Sequence, residues 1–187
     1  MTVLPTVGSL RTRPALNAPD LVAPPVAAFV RSWHCGADVA VAEIDPALAD
    51  TAALVAAHDV PADASANCVV VAGRREGVER IAACVVLATT RADVNGAVRR
   101  LLDVRKASFL PTERAVAETG MEYGGITPLG LPAGWRILVD ARVPRVPVCV
   151  IGSGVRRSKL VLAGSLLAGL PRAEVVEGLA VDVPANP

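Results

Sequence analysis

The stretch TGMEYGGITPLGLP, residues 119–132, concentrates backbone freedom at one point of the chain. It contains four of the fifteen glycines and two of the fifteen prolines, no Lys or Arg, and one acid, Glu122. Glycine allows positive φ and a close approach of backbone to a ligand, whereas proline fixes φ and removes an amide donor. The pattern therefore predicts a shaped loop with free amide hydrogens, which is either a demanding turn or the lip of a binding site.

A second glycine-rich point, IGSGVRRSK at residues 151–159, follows an apolar run in the same way. Neither segment is a phosphate-binding fingerprint, because G-x-G-x-x-G is absent and Lys159 does not follow the glycines at Walker spacing. A pair of surface turns is the alternative interpretation, since glycine and proline are common in turns. Two such points, each next to an apolar strand, favour a binding site.

Other polar residues give weaker signals. His34 and His58 have no neighbouring nucleophile or metal-ligand spacing, so both are interpreted as structural, and no Ser-His-Asp arrangement is evident. Cys68 follows Asn67 on a predicted strand, so their side chains point to opposite faces and a nucleophilic thiol is disfavoured. Lys106 and Ser108 lie on a short strand, where a lone lysine is more often simply solvated.

The composition indicates one globular domain with a Val, Leu, Ile and Ala core. Of 187 residues, 52% are hydrophobic and 3% aromatic, and the net charge of +1 gives no overall electrostatic attraction to nucleic acid. The four cysteines are dispersed and no apolar run opens the chain or approaches the roughly 20 residues of a membrane helix. We expect a reduced, cytoplasmic protein without a metal, a cofactor or a membrane segment.

The elements that must position the glycine loops are predicted from periodicity. Residues 1–19 have no hydrophobic period and are expected to form a flexible tail before a single domain over residues 20–187. Helices are predicted from Pro24, from Asp45-Pro46 through Val55, after Asp93, after Thr112 as an N-cap with Gly120 as a left-handed C-cap, and at 165–170. Strands are predicted at 37–45, 67–73, 78–90, 105–110, 136–140, 147–154, 158–164 and 173–180.

The two runs 67–73 and 78–90 are separated by RREG, which predicts a hairpin. Strands recur between scattered helices without regular β-α-β-α alternation. The pattern predicts an α+β fold, a single domain with a mixed, mostly antiparallel curved sheet surrounded by helices.

The segments AETGMEYGGITPLGLP, ILVD, CVIGSG and AEVVEGLA closely resemble the YbaK and prolyl-tRNA-synthetase-associated editing-domain family, over about residues 50–180. Members of that family are aminoacyl-tRNA deacylases, some acting in trans and some within a synthetase. The resemblance implies a YbaK-like fold, mischarged tRNA as the partner through its acceptor end, and an aminoacyl-tRNA synthetase as a further candidate partner.

Carried over by position, the resemblance implies a pocket built from two glycine walls. Gly124 to Pro128 match the family's G-x-x-x-P loop, so the amides of Gly124, Gly125 and Ile126, with Thr127 beside them, would hold the ester carbonyl. A side chain at Gly125 would then occupy the substrate's space. Gly152, Ser153 and Gly154 match the second wall, with the Ser153 hydroxyl positioning water or the substrate amine, and Lys106 and Ser108 lie beside the pocket.

One departure concerns the pocket's charge. The family usually begins the first central strand with Lys in a K-T-L-V-V pattern, whereas this chain has NCVVV, with Asn67 at that position, and a lysine, Lys159, near a position that is commonly acidic. This is either a compensating exchange, a different ligand, or loss of catalysis. The predicted catalytic residues are Asn67, Gly125 and Ser153, with Lys159 among the substrate-binding residues.

Arginines could form a basic rim for the acceptor stem, since the guanidinium group binds phosphate with two hydrogen bonds. A solvated helix face and a charged turn are the alternative. The candidates are Arg99, Arg100, Arg105, Arg156 and Arg157.

Three functions remain open from the sequence. The first is a free-standing deacylase that removes a small amino acid from mischarged tRNA, using a positioned water. The second is a catalytically silent module of the same fold that binds aminoacyl-tRNA ends, amino acids or nucleotides. The third is an interaction protein with a vestigial pocket.

Overall fold

A computed structural model describes residues 4–183, and within that range the strands form three sheets. The strands are β1 (Thr12–Pro14), β2 (Ala40–Glu43), β3 (Ala66–Arg75), β4 (Val78–Leu87), β5 (Thr90–Ala92), β6 (Ala107–Phe109), β7 (Arg136–Asp140), β8 (Cys149–Gly152), β9 (Ser158–Leu162), β10 (Ala173–Val176) and β11 (Ala180–Asp182). The helices are α1 (Pro24–Ser32), α2 (Thr51–His58), α3 (Arg99–Leu101), α4 (Thr112–Thr119) and α5 (Gly164–Ala168).

The β3–β4 hairpin is the longest pairing and follows from its β-branched sequence. The two strands pair antiparallel from Ala66 opposite Leu87 to Arg75 opposite Val78. Glu76 and Gly77 connect them with φ of 53° and 80°, the positive values that a tight two-residue hairpin turn requires. The predicted hairpin is confirmed.

This hairpin is the centre of a mixed five-stranded sheet in the order β10-β7-β4-β3-β6. The β4, β7 and β10 strands run parallel, whereas β6 pairs antiparallel with β3 and forms one edge. A second sheet, β1-β2-β9-β8, is wholly antiparallel, and β5 pairs with β11. An isolated bridge between Ser65 and Val150 links the start of β3 to β8.

The core between these layers is aliphatic, as the composition predicts. Its largest cluster includes Val26 and Val30 of α1, Val139 of β7, and Ile151 and Leu160 of the antiparallel sheet. The α+β architecture and the single domain are confirmed, although the strands form three sheets instead of one.

Three local expectations need correction. Residues 4–19 pack against the domain and do not form the predicted flexible tail, because β1 pairs with β2 and Leu10, Ala15 and Ala18 are buried. The helix predicted from Asp45 is split into a 3-10 turn at Pro46–Leu48 and α2, because Asp50 accepts a hydrogen bond from the Ala52 amide and caps a new helix. The last predicted strand is divided into β10 and β11.

The α4 helix shows one wrong and one correct expectation. Thr112 is the first helical residue and Pro111 holds the capping position, without a side-chain hydrogen bond. Gly120 ends the helix with φ of 64°, the left-handed conformation expected of a glycine C-cap. The chain therefore leaves α4 directly into the first glycine loop. Within residues 4–183, no helix is long and apolar enough to cross a membrane.

Candidate active site

A cleft of about 420 Å³ lies where β3 begins, and both main sheets contribute to its walls. The five-stranded sheet supplies residues 66–70, and the antiparallel sheet supplies Gly152 of β8 and Lys159 of β9. The start of α2, the end of β6, α4 and the first glycine loop complete the lining. Sequence-distant segments therefore meet here, as the resemblance implies.

Asn67 lies on the β3 wall and is tied to the start of α2. Its Oδ1 accepts a hydrogen bond of 2.9 Å from the Thr51 hydroxyl. Thr51 is positioned by the N-cap of α2, where the Asp50 carboxylate accepts from the Ala52 amide at 3.0 Å. The Asn67 side chain is uncharged, and although its Oδ1 accepts this hydrogen bond, its NH₂ group can still donate to a ligand.

Lys159 lies on the opposite wall and is the cleft's buried amine. The residue is 6% exposed, and its Nζ donates to the Ala49 carbonyl at 2.7 Å. Burial is the main cause that lowers the pKa of Lys159 to about 8, and the positive charge of Arg156 lowers it further. The negative charge of Asp50 partly opposes this shift. The amine is thus a cation near neutral pH that a small change in environment can deprotonate.

Asn67 and Lys159 both form hydrogen bonds to residues 49–51, Asn67 with Thr51 and Lys159 with Ala49. The lysine that the family carries on its first central strand is absent here. In its place an ammonium group enters the cleft from β9. The two residues of the exchange therefore line the same cleft.

The two glycine loops pack directly against each other. The Gly154 amide donates to the Gly125 carbonyl at 2.7 Å, and the Glu122 amide donates to the Gly154 carbonyl at 2.8 Å. A Cβ added to Gly152 would lie 2.4 Å from the Gly125 oxygen and 2.7 Å from the Ile126 oxygen. Glycine at 152 is therefore required by the approach of the two backbones.

The amides of the first loop differ in their availability. The Gly125 amide donates to the Glu122 carbonyl at 3.0 Å inside the turn. The expectation that this amide is a free donor is therefore wrong. A Cβ on Gly125 would meet the Val155 backbone at 2.8 Å, which corrects the expectation that it would fill the substrate's space. Gly124 and Ile126 line the cleft, and within residues 4–183 their amides have no acceptor.

Four further loop residues do not line the cleft. Ser153 is fully buried, and its hydroxyl contacts the Val155 carbonyl at 3.1 Å, the Ser158 carbonyl at 2.9 Å and the Ser158 hydroxyl at 2.7 Å. The catalytic assignment of Ser153 is therefore corrected, because this side chain ties β8 to β9. Thr127, Pro128 and Gly154, predicted to bind substrate, are also buried and do not line the cleft.

Lys106 and Ser108 line a neighbouring cleft of about 390 Å³ instead of the first one. The two clefts share Phe109 and Leu110. The assignment of Lys106 and Ser108 to the substrate pocket is therefore corrected, because, of residues 105–110, only Phe109 and Leu110 line the first cleft.

The arginines predicted as a basic rim are not one cluster. Arg156 is at the first cleft's edge: its guanidinium donates to the carbonyls of Tyr123 at 3.5 Å and Pro46 at 3.1 Å. Arg157 contacts the Asp20 carbonyl. Arg99 and Arg100 are exposed on α3 and line neither cleft, whereas Arg105 lines the second.

Sequence reasoning missed two aromatic residues and an acid at the first cleft. Tyr123 is 66% exposed and Phe109 is 62% exposed, and both line it. The Asp50 carboxylate lies beside Thr51 at the start of α2. The Asp-Thr pair before an apolar helix could have signalled a cap, but nothing local in the sequence signalled that the cap faces a cleft.

Thiol and metal chemistry receive no support from the described residues. Burial, together with the nearby Cys84, raises the pKa of Cys68 above its ordinary value, and burial raises the pKa of Cys149 to about 12. Thiols of this kind are poor nucleophiles near neutral pH. Residues 4–183 contain no group of three or more His, Cys, Asp or Glu placed to hold a metal ion.

Comparisons with solved structures support the fold. One match, described provisionally as a trans-editing enzyme for prolyl tRNA synthetase, superposes with a TM-score of 0.70 at 19% identity, covering 82% of this chain and 94% of that one. The hypothetical protein APE2540 superposes with a TM-score of 0.73 at 17% identity, covering 84% and 99%. A comparison with curated proteins gives no match.

The family comparison covers the residues that build the cleft. The model of the aminoacyl-tRNA editing domain matches residues 45–170, which is more than half of the chain and includes both glycine loops, Asn67 and Lys159. The chain therefore belongs to the aminoacyl-tRNA editing domain family.

Proposed function

We propose that the protein is a free-standing deacylase that hydrolyses the ester between a mischarged small amino acid and tRNA. The observation that carries this proposal is the buried Lys159 amine in the same cleft as the loop amides of Gly124 and Ile126, which have no acceptor among residues 4–183. Positive charge and amide donors together suit a carbonyl oxygen that becomes an oxyanion.

The reaction needs only water as a second reactant. Water attacks the ester carbonyl carbon and the negative charge develops on the carbonyl oxygen. The bond to the ribose oxygen then breaks, and that oxygen takes the proton that the attacking water gives up. Lys159 and the loop amides stabilise the intermediate, and loss of one such donor typically costs about 2.7–4 kcal/mol of transition-state stabilisation. Asn67 retains an NH₂ group that can orient the attacking water.

The remaining lining suits the other parts of an aminoacyl-adenosine. The Asp50 carboxylate can pair with the substrate's α-ammonium group, and Val70, Leu110 and Ala115 offer an apolar surface to a small side chain. The exposed ring of Tyr123 can stack on the terminal adenine. One cleft of about 420 Å³ must accommodate both parts, which favours a small amino acid.

The direct test is release of amino acid from a panel of mischarged tRNAs, with Lys159→Met and the exposed α1 variant Arg31→Met as a matched control. We expect the native protein and the control to release a small amino acid, and Lys159→Met to be slower by about 10²–10³-fold, as for loss of a single oxyanion donor. No release from any tRNA by the native protein would contradict the proposal.

A catalytically silent binding module is the second candidate, and Asn67 favours it, because the family's usual lysine is missing from this position. The variant Asn67→Lys separates the two. If Lys159 supplies the cation, a second ammonium group facing the same segment is repulsive, and hydrolysis should fall. If the native protein has lost the chemistry, hydrolysis should appear only in the variant.

The same proposal extends to partners and location. Mischarged tRNA would bind through its acceptor end, and an aminoacyl-tRNA synthetase is the protein partner that the neighbour's description favours. The cytoplasm is the compartment in which we expect such a reaction. Co-purification with aminoacyl-tRNA synthetases, compared between the native protein and Lys159→Met, would test the partner independently of catalysis.

A further inference from the structure

The second cleft, on the other side of the β6 edge strand, is rich in positive charge. Its charged lining comprises four cations and one carboxylate: Arg74, Arg105, Lys106, Arg114 and Glu79. The protein as a whole carries a net charge of only +1, so this is a local concentration of charge. No residue of this cleft has a role in the ester hydrolysis proposed above except those that the two clefts share.

Two of the four cations are already paired. Arg114 donates to both oxygens of Glu79 at 3.0 and 2.9 Å and also contacts Glu118, while Arg74 lies 3.7 Å from Glu79. The hydrogen bond from Arg114 is the main cause that holds the pKa of Glu79 below its ordinary value. Arg105 and Lys106 are exposed and form no ion pair within residues 4–183.

Phe109 joins the two clefts. It is the last residue of β6, is 62% exposed, and lines both cavities together with Leu110. An exposed ring beside unpaired cations is the combination that single-stranded nucleic acid uses, with bases stacking on the ring and phosphates on the cations. A duplex has no unstacked base to offer to Phe109.

We propose that the second cleft binds the single-stranded 3′ end of tRNA just before its esterified terminal nucleotide. Phosphates of the strand contact Arg105 and Lys106, and a base stacks on Phe109 as the strand crosses β6 into the first cleft. This inference rests on the proposed function for the identity of the strand. It places the main phosphate contacts on the β6 edge and not on Arg99 and Arg100.

The test measures binding of an uncharged RNA hairpin with a four-nucleotide 3′ overhang, by fluorescence anisotropy across a range of salt concentrations. The variant Arg105→Ala/Lys106→Ala is compared with Arg11→Ala/Arg31→Ala, which removes the same charge from exposed positions that line neither cleft. The first variant should bind more weakly and lower the slope of log affinity against log salt by about 1.4, or 0.7 for each lost contact. The control should match the native protein.

Two results would overturn the proposal. One is equal affinity and equal salt slope for the native protein and Arg105→Ala/Lys106→Ala. The other is equal binding of a blunt hairpin without the overhang, since that would exclude a single-strand site. Phe109→Ala should weaken binding of the overhang hairpin by about 5- to 150-fold if a base stacks there.

Failure of this inference is distinguishable from failure of the proposed function. Hydrolysis of 3′-aminoacyl-adenosine, which lacks the preceding phosphates, reports only on the first cleft. Native hydrolysis of that short ester with no effect of Arg105→Ala/Lys106→Ala on RNA binding rejects the second site alone. Normal RNA binding without hydrolysis of any ester rejects the deacylase alone.

Discussion

At the scale of single residues, the unusual feature is an ammonium group held in a cleft with little exposure to water. Lys159 donates to one acceptor, the Ala49 carbonyl, and the negative charge of Asp50 only partly offsets the cost of burial. Desolvation disfavours the charged form of lysine, which is why its pKa falls to about 8 from an ordinary 10.5. In the role proposed for Lys159, the carbonyl oxygen of a ligand would be a second partner for this charge.

Lys159 should leave a signature in the dependence of stability on pH. Its pKa is lower in the folded than in the unfolded chain, so between about 8 and 10.5 the unfolded state binds more protons and the folded state gains stability as pH rises. Relative to Lys159→Met, the native protein's free energy of unfolding should rise by up to about 3 kcal/mol across this window. Urea titrations at pH 7 and pH 10.5 measure it, and parallel behaviour of the two proteins would contradict the buried-cation assignment.

The residue scale also shows what sequence reasoning could reach. The glycine loop and the Asn67–Lys159 exchange were visible as residue types, and both sides of the exchange line the cleft. The individual roles of Gly125 and Ser153 were not visible, because the direction of an amide or hydroxyl depends on partners that are remote in the chain. Gly125 faces the Val155 backbone, and Ser153 bonds to Ser158 across a strand connection.

At the scale of elements, the site depends on the fit between two loops that enter from different sheets. Gly152 of β8 approaches the carbonyl oxygens of Gly125 and Ile126 so closely that a methyl group would have no room. The same contact positions the Gly124–Ile126 amides, since the Gly154 amide bonds to the Gly125 carbonyl. The loops therefore act as one unit.

Gly152→Ala should damage both folding and binding, because backbone atoms rather than flexible side chains surround the added methyl group. We expect a loss of about 1–3 kcal/mol in the free energy of unfolding, the usual range for overpacking. Gly134→Ala is the matched control: nothing lies within 4 Å of its added Cβ, so its effect should stay within about 0.5 kcal/mol. Urea denaturation of both variants makes the comparison, and equal stabilities would show that the loops can separate without cost.

Elements were predicted correctly where the residues that determine them lie within one short stretch of sequence. The β3–β4 hairpin and the Gly120 C-cap are such cases. Residues 1–19 showed no hydrophobic period, and yet β1 forms within them because β2 presents a strand edge to it. The division of strands into three sheets likewise depends on non-local pairing that periodicity does not encode.

At the scale of the whole molecule, the candidate site joins the two main sheets. One wall is the start of β3 in the five-stranded sheet, and the other is Gly152 and Lys159 in the antiparallel sheet. A ligand that spans these walls binds only the folded arrangement, since unfolding separates them. Its binding free energy must therefore add to the stability of the entire domain.

This coupling gives a prediction that does not require catalysis. An amide-linked alanyl-adenosine, which resists hydrolysis, should raise the free energy of unfolding by about 2.7 kcal/mol when present at 100 times its Kd. For a domain of this size, 1 kcal/mol shifts Tm by about 2–4 °C, so the expected increase is about 5–11 °C. Adenosine at the same concentration should give a smaller shift, because it leaves Lys159 without a carbonyl partner and therefore binds more weakly. Differential scanning fluorimetry measures these shifts, and an unchanged Tm over a wide range of ligand concentration would contradict both the deacylase and the binding module and favour a vestigial pocket.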